Sequence, residues 1–309
     1  MGMVISGAPC SWGIDTLSNP LNPSWERVIK EAHEVGYKAI ELGPYGYFPI
    51  NDIPKVTEVL NENKLGISVG VIFDELVTDK RYEELREQVD QICKLLVKLP
   101  KLQDEEGQRR PTPYLTLMDF GHEERNSVAG HSELAERADS ELWKKIMSHI
   151  EGLSKIANEY GVRPVVHPHS GGYIEFEDEI EKLVNDLPDE LVGLCLDTGH
   201  IQYSGADPSV VLKKYKDRLD YVHFKDINGS VYESAMKRKL KFLEACHEGA
   251  FCPIGQGVVN YNAIAATLKE IDYNGYICIE QERDPKYADE TKSTEKASID
   301  YLKGIGFKI

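Results

Sequence analysis

Short apolar runs and amphipathic segments alternate along this chain. Residues 66–73 and 191–196 are largely apolar, which is typical of parallel strands that are buried on both faces of a sheet. The segment 81–99 instead repeats apolar residues, beginning with Leu85 and Val89, at the spacing of an amphipathic helix. The pattern therefore predicts strands that alternate with helices over most of the chain.

The pattern predicts eight strands, each followed by a helix or by an insertion and a helix. The predicted strands are 4–9, 39–42, 66–73, 114–120, 164–166, 191–196, 221–227 and 276–279. The predicted helices are about 24–35, 54–63, 81–99, 142–160, 177–185, 208–218, 261–271 and 291–302. Residues 103–113 are polar and contain prolines, so we expect an exposed loop there, and 230–257 is an insertion after the seventh strand.

Alternating strands and helices in a chain of 309 residues predict an α/β protein built as one (β/α)8 TIM barrel that spans 1–309 as a single domain. A doubly wound open sheet is the alternative. That fold usually binds dinucleotides through a glycine-rich loop after the first strand, and no such loop follows residue 9.

Charge and cysteine usage indicate which classes of partner and which compartment to expect. The net charge is -16 and no basic stretch offsets it, which argues against a nucleic-acid partner. We find neither a signal peptide nor an apolar run long enough to cross a bilayer, so we expect no membrane partner. The six cysteines form no CxxC pair, so we expect a cytoplasmic protein. The sequence leaves open whether it forms a homo-oligomer.

Metal-ligating residue types follow four successive predicted strands. They are His167 and His169 after strand five, Asp197 and His200 after six, His223 after seven, and Glu280 and Glu282 after eight. In a barrel the C-terminal strand ends meet on the face where active sites are built. Carboxylates and imidazoles without thiolates suit a divalent ion such as Mn, Co, Fe, Zn or Mg, with a coordination position left for a substrate oxygen.

Within this set Asp197, His223 and Glu280 are the predicted metal ligands. His167 is the predicted fourth ligand, because it leads the pair of histidines that can both face inward. Glu175 in the following loop is the alternative fourth ligand and otherwise a candidate for substrate binding, although it could simply be a charge near a helix start.

The remaining candidates would bind substrate or transfer protons. His169, His200, Lys225 and Glu282 are predicted catalytic groups, and Lys225 could stabilise negative charge that develops on a substrate oxygen. Each has a purely structural alternative: Lys225 could pair with its neighbouring aspartate, and Glu282 could pair with a basic residue that follows it. Trp12, at the end of strand one, is predicted to wall the substrate pocket, with ordinary packing as the alternative.

Three stretches give the chain a family resemblance. They are Ala8-Pro9-Cys10-Ser11-Trp12-Gly13, the His-x-His-x-Gly pattern that begins at His167, and 242–257 with its Pro253-Ile254-Gly255-Gln256-Gly257 end. Over nearly its whole length the chain resembles the xylose-isomerase-like barrel superfamily of sugar isomerases, epimerases and dehydratases. Within it, the inosose dehydratases of inositol catabolism are most similar.

The resemblance implies a ligand set and a reaction. Members of the superfamily bind the metal through Glu, Asp, His and Glu from four late strands, and Asp197, His223 and Glu280 match the last three. His167 replaces the first glutamate, which keeps Glu175 in consideration. The implied function is a metal-dependent lyase that dehydrates a keto-polyol such as an inosose through an enediolate.

Three other functions remain as alternatives. An isomerase or epimerase acting on a sugar or sugar phosphate would share the enediolate without losing water. A non-catalytic binding protein could use the same fold. A metal-dependent phosphodiesterase or repair nuclease would need a basic surface, which the net charge of -16 disfavours.

Overall fold

The apolar runs form parallel strands that close into a barrel. The computed structural model describes residues 2–14 and 16–309. The strands are β1 (Met3–Gly7), β2 (Ala39–Glu41), β3 (Gly66–Asp74), β4 (Tyr114–Asp119), β5 (Arg163–Val166), β6 (Gly193–Asp197), β7 (Leu219–Phe224), β8 (Asp226–Ile227), β9 (Phe251–Cys252) and β10 (Gly275–Ile279). The closed order is β1-β10-β7-β6-β5-β4-β3-β2, so the predicted (β/α)8 barrel is confirmed.

Helices connect successive strands on the outside of the barrel. They are α1 (Trp25–Val35), α2 (Ile53–Glu62), α3 (Asp79–Leu96), α4 (Glu123–Asn126), α5 (Ser140–Glu159), α6 (Glu177–Asp186), α7 (Thr198–Tyr203), α8 (Pro208–Lys214), α9 (Gly229–Arg238), α10 (Phe242–His247), α11 (Tyr261–Glu270) and α12 (Thr291–Gly304). Within residues 2–14 and 16–309, no helix combines the length and the apolar composition that crossing a membrane requires.

Two structural differences from the sequence prediction bear on the site. Asp197 ends β6 and caps α7, a short helix that the sequence pattern did not predict; its carboxylate accepts the N–H groups of Gly199 and His200. The insertion contains α9 and α10, and β9 near its end pairs with β8 as a two-stranded antiparallel sheet. Both features place side chains beside the C-terminal strand ends.

Side chains alternate along each strand and divide the core in two. A large cluster lies between barrel and helices, and a smaller one fills the barrel interior, including Ala39, Val71, Val165, Cys195, Tyr221 and Cys278. Because side chains repeat every second residue in a strand, the residue two positions after each interior residue also faces inward, one layer nearer the mouth. This layer carries the site.

Buried ion pairs close the opposite end of the barrel. Asp220 on β7 accepts from Arg163 on β5, with Nε to Oδ2 at 2.7 Å, and also pairs with Arg109 from the loop that was predicted to be exposed. The Asp220 side chain is fully buried. The loop 103–113 therefore contributes a counter-charge to the barrel base.

Candidate active site

Four predicted ligands meet in the mouth layer of the barrel. His167, Asp197, His223 and Glu280 are buried, and each offers a ligand atom within 4.8 Å of the others. His223 Nδ1 lies 3.2 Å from Glu280 Oε2 and 3.8 Å from Asp197 Oδ2, which lies 3.7 Å from His167 Nε2. Each residue follows an interior residue by two positions, which is why four separate strands deliver them to one place.

The free atoms of this group fit a cation. Asp197 Oδ1 accepts two backbone N–H groups, whereas Asp197 Oδ2 and His223 Nδ1 are buried and form no hydrogen bond among the described residues; Lys225 Nζ lies 3.2 Å from Asp197 Oδ2 as an ion pair. Leaving buried polar atoms unpaired is costly, and buried groups of this kind are normally satisfied. A divalent ion between these atoms would satisfy both, and imidazole with carboxylate is a donor set that such ions accept.

Glu41 orients the His223 ring. Its Oε1 lies 2.9 Å from His223 Nε2 and accepts a hydrogen bond of 2.9 Å from the Tyr221 hydroxyl. The carboxylate therefore holds a proton on Nε2, so that Nδ1, which faces Asp197 and Glu280, is the ring atom available to a cation. Carboxylate partners of this kind orient metal-binding histidines in many proteins. Sequence reasoning missed Glu41, although it follows the interior residue Ala39 by two positions, as the ligands follow theirs.

Lys225 is a buried cation inside the group. Its Nζ lies 2.7 Å from Glu282 Oε1, 3.0 Å from Glu280 Oε2 and 3.2 Å from Asp197 Oδ2. Burial alone would lower the pKa of Lys225, but the surrounding carboxylates outweigh it and hold the pKa well above its usual value. The ammonium is therefore charged, and its inward orientation agrees with the predicted site position rather than with a pair to Asp226.

Negative charge remains in excess around this ammonium. The carboxylates of Asp197, Glu280 and Glu282 surround this lysine, and that of Glu41 contacts His223 in the same region. Burial opposes ionisation of Glu280, yet the nearby His223 and Lys225 lower its pKa overall. The excess of carboxylate over ammonium favours an additional cation over an additional anion.

His169 and His200 are neutral imidazoles. Burial is the largest cause and Lys225 adds to it, so both pKa values lie well below the usual value. His169 Nδ1 donates to Ser170 O at 3.0 Å, so its Nε2 carries a lone pair. His200 Nδ1 accepts from the Ser170 N–H at 3.1 Å, and its Nε2 lies 3.1 Å from Lys225 Nζ and 3.8 Å from Glu282 Oε1.

These two histidines and Glu282 form a second group. Its ligand-type atoms also lie within 4.8 Å of one another. Burial raises the pKa of Glu282, although Lys225 opposes the shift. The His169 and His200 rings are 4.0 Å apart. The structure thus brings all four predicted catalytic residues together beside the ligand group.

The insertion covers this second group. The Phe242 ring on α10 lies 4.9 Å from the His169 ring and 5.0 Å from the His200 ring, and Phe251 lies 5.2 Å from Lys225 Nζ. Phe242 is fully buried. The insertion therefore keeps water away from these side chains, which strengthens the electrostatic interactions among them.

Asp226 fastens the end of the insertion to the barrel. Its carboxylate accepts backbone N–H groups from Ile227, Gly255, Gly257 and Val259, at 2.8 to 3.0 Å. A Cβ on Gly257 would lie 2.2 Å from Asp226 Oδ1, so only glycine allows this approach. The segment that supports the family resemblance is therefore part of the cover over the site.

Trp12 does not wall the pocket. Its side chain is fully buried and its Nε1 donates to Glu31 Oε2 at 2.7 Å, which joins the loop after β1 to α1. It is not among the residues that line the cavity at the barrel mouth. The packing alternative describes its position, because the short 3-10 helix Pro9–Trp12 turns the indole outward from the barrel axis toward α1.

Glu175 does not reach the ligand group either. Its two oxygens accept the N–H groups of Gly130 and Gly171 at 2.7 and 2.9 Å, and Arg125 lies 3.8 Å away. Burial raises the pKa of Glu175 to about 7. The carboxylate joins two loops behind the site and is absent from the residues that line the cavity, so His167 completes the ligand group.

A cavity of about 280 Å³ opens from these side chains toward solvent. His167, His169, His200, Glu280 and Glu282 line one side of it. Residues from the loops after β1 and β2, from the ends of β3 and β4, and from α3 line the other side. A small molecule can therefore contact the ligand group and the catalytic candidates together.

Comparison with known proteins agrees with the fold and the sequence resemblance. The sequence profile described as xylose isomerase-like TIM barrel matches residues 29–305. An inosose dehydratase of Clostridium beijerinckii is 29% identical over 315 residues, covering 97% of this chain and 96% of that protein. One of Geobacillus kaustophilus is 30% identical over 296 residues, covering 91% and 88%. The IOLI protein, whose crystal structure contains a zinc atom, has the same fold, with a TM-score of 0.73 and 18% identity over 99% of this chain and 100% of that one.

Proposed function

Because the chain belongs to the xylose isomerase-like TIM barrel family, we propose that it is a divalent-metal-dependent lyase that dehydrates a keto-polyol such as an inosose. Relatives named inosose dehydratase align with it over nearly their whole length, which supports a substrate of this class. The observation that carries the proposal is the Lys225–Glu282 pair, 2.7 Å apart and beside the ligand group.

His167, Asp197, His223 and Glu280 would hold the ion, with Glu41 fixing the His223 ring. When bound, a divalent ion supplies positive charge to the substrate oxygens on which negative charge develops.

Glu282 and Lys225 transfer the protons. Glu282 accepts the proton from the carbon beside the ketone, and the electron pair of that C–H bond forms the new double bond and expels the β-hydroxyl group. Lys225 donates a proton to the departing oxygen, which leaves as water. A proton then passes from Glu282 to Lys225 across the 2.7 Å contact, so both groups are restored and nothing is oxidised or reduced.

The two histidines position the reacting groups. His200 Nε2 lies 3.1 Å from Lys225 Nζ and so positions the ammonium, and His169 presents an Nε2 lone pair to a substrate hydroxyl. Because both pKa values lie well below the usual value, both rings stay neutral at neutral pH. Their roles are therefore hydrogen bonding and positioning, and Glu282 with Lys225 carries the net proton transfer.

Epimerisation is the alternative that one observation favours. Glu41 lines the cavity from β2, whereas Glu282 lines it from the strand end of β10. Epimerases remove a proton on one face of a substrate and return one on the other, which two separated carboxylates could do. In deuterated water an epimerase would give a product that gains one deuterium and no ultraviolet band, whereas the dehydrated ketone absorbs in the ultraviolet.

The test uses protein loaded with Mn²⁺ or Co²⁺ and an inosose as substrate. We expect an ultraviolet band from the parent protein, and a loss of at least about 100-fold in kcat for Glu282→Gln and for Lys225→Met, with the ion still bound in both. Lys155→Met and Glu151→Gln, which break an exposed pair, serve as matched controls and should be unchanged. No ultraviolet band with any divalent ion and no loss of water by mass spectrometry would refute the lyase proposal.

The composition of the chain supports a compartment and a class of partner. All six cysteines are free thiols, five of them buried, which suits a reducing cytoplasm. The net charge of -16 suits a small neutral substrate better than nucleic acid. We place the protein in the cytoplasm without a nucleic-acid or membrane partner, and sedimentation of the metal-loaded protein would decide whether it is a homo-oligomer.

A further inference from the structure

The mouth layer of the barrel has two chemically different halves. On β5, β6, β7 and β10 the inward positions after the interior residues are His167, Asp197, His223 and Glu280. On β3 and β4 the corresponding positions are Phe73 and Met118, which are paired in register. The ligand half is therefore polar, whereas the half formed by β3 and β4 is apolar.

Other apolar side chains extend this second half outward. Leu85 from α3, Tyr45 from the loop after β2 and Ile72 and Val71 from β3 line the same cavity. We call the part lined by Tyr45, Val71, Phe73, Leu85 and Met118 the apolar subsite. Its floor and wall come from different elements, so it is built into the fold rather than formed by one loop.

The apolar subsite is continuous with the catalytic groups. The Phe73 ring lies 4.9 Å from the His169 ring and stacks on Phe120 at 4.7 Å, so it forms the boundary between the halves. One molecule can therefore place a keto-hydroxy group at the ligand group and another part of itself in the apolar subsite.

Most polar side chains around this subsite are engaged with one another, and Gln88 from α3 is an amide that also lines the cavity. Asp74 and Arg81 pair with each other at its rim, and the Tyr45 hydroxyl donates to Gln91 at 2.6 Å. Pro9 and Pro44 line the cavity without N–H groups to offer. A polyhydroxylated ring reaching into this half would leave hydroxyl groups unpaired, and each such loss weakens binding by about tenfold.

Resting on the proposed function, we propose that the apolar subsite binds an apolar substituent of the substrate, so that the preferred substrate is a keto-polyol carrying a ring-sized apolar group, such as an aryl ether of an inosose, rather than a free cyclitol. The cavity of about 280 Å³ is large enough for this. An engineered apolar cavity of roughly 150 Å³ holds benzene, so one aromatic ring fits beside a sugar ring at the open ligand group.

Binding is tested with two probes that differ only in the substituent. Methyl and phenyl β-D-glucoside have no ketone to acidify a C–H bond, so they bind without turnover. With Mn²⁺-loaded protein we expect calorimetry to give about 50-fold tighter binding of the phenyl glucoside, from burial of on the order of 100 Å² of ring surface. Equal affinities would overturn the proposal.

A polar substitution in the apolar subsite tests whether the phenyl group binds there. Met118→Gln keeps the side-chain length and adds an amide, and we expect it to lower the phenyl-to-methyl affinity ratio at least about fivefold. Met236→Gln, at a half-buried methionine on α9 that does not line the cavity, is the control and should keep the ratio. An unchanged ratio in Met118→Gln would also overturn the proposal.

Turnover separates this inference from the proposed function. Inososes that carry a phenyl ether or a methyl ether on the carbon opposite the ketone keep their β-hydroxyl groups, and both are assayed together with free inosose for the ultraviolet band of the dehydrated product. We expect the highest kcat/KM for the phenyl ether. A higher kcat/KM for inosose would refute the subsite as a determinant of specificity while leaving the lyase intact, whereas no elimination from any of the three would refute the lyase while the calorimetric ratio still decides the subsite.

Discussion

Removing the Glu41 carboxylate tests whether a partner in another strand prepares the metal site. Glu41 Oε1 accepts the His223 Nε2–H and the Tyr221 hydroxyl, both at 2.9 Å, in a side chain that is only 3% exposed. Glu41→Ala leaves two buried donors unpaired and allows His223 to carry its proton on Nδ1, the atom that faces the ligand carboxylates. A protonated Nδ1 cannot bind an ion.

The expected loss of metal affinity follows from these contacts. Partners that orient metal-binding histidines typically contribute 10- to 100-fold in metal affinity, which corresponds to about 1.4 to 2.7 kcal/mol. We expect Glu41→Ala to weaken Mn²⁺ binding by about 100-fold. Glu41→Gln should weaken it by about 10-fold, because its amide oxygen can still accept from Nε2 while the negative charge is lost. Tyr221→Phe, which removes only the second donor, should change Mn²⁺ affinity least.

The assay is competition for Mn²⁺ against a chelator of known affinity, with circular dichroism as the check on folding. Unaltered Mn²⁺ affinity in a folded Glu41→Ala variant would contradict the role given to Glu41. Equal losses in the Ala and Gln variants would show that charge alone, and not the orientation of the imidazole, accounts for the effect.

Three further predictions concern the stability of the fold and the attachment of the insertion that covers the site. Because burial raises the pKa of Glu175 to about 7 from roughly 4.3 in the unfolded chain, its contribution to the free energy of unfolding is fully present below about pH 4 and is lost as pH rises to 7. We expect that loss of stability to be on the order of 3 kcal/mol. In urea unfolding at several pH values, the free energy of unfolding of Glu175→Gln should depend less on pH than that of the parent protein. An equal pH dependence in the two proteins would contradict this prediction. Asp220→Asn removes the counter-charge of two arginines at the barrel base and should lower the free energy of unfolding by about 3 kcal/mol or more, measured as a lower Tm. Asp300→Asn, in an exposed pair, should lower it by less than about 1 kcal/mol. Equal shifts in Tm would refute the distinction between the buried and the exposed pair. Asp226→Ala should speed amide hydrogen exchange at 253–259, because three backbone N–H groups in that segment lose their acceptor; unchanged protection there would show that other contacts hold the end of the insertion in place.

The sequence determined the barrel and most of its chemistry. Apolar runs that lack alternation can be stable only as strands covered on both faces, and their regular separation by amphipathic helices leads to a parallel barrel. Side-chain alternation and the convergence of parallel strand ends then place Asp197, His223 and Glu280 together without further information. These rules are local or nearly local, which is why the printed sequence was sufficient for them.

Tertiary structure decided what depends on distant partners. Glu41 and His223 are separated by 182 positions and meet only because the barrel closes. The orientation of Glu175 depends on Gly130, in a segment with no regular pattern, and the orientation of Trp12 depends on a turn whose direction the sequence does not encode locally. Lys225 shows the same limit, since its position two residues after His223 predicted an inward direction, but only the packed barrel shows that three carboxylates surround its ammonium. Long-range electrostatics and loop orientation are properties of the closed fold, whereas periodicity belongs to the chain itself.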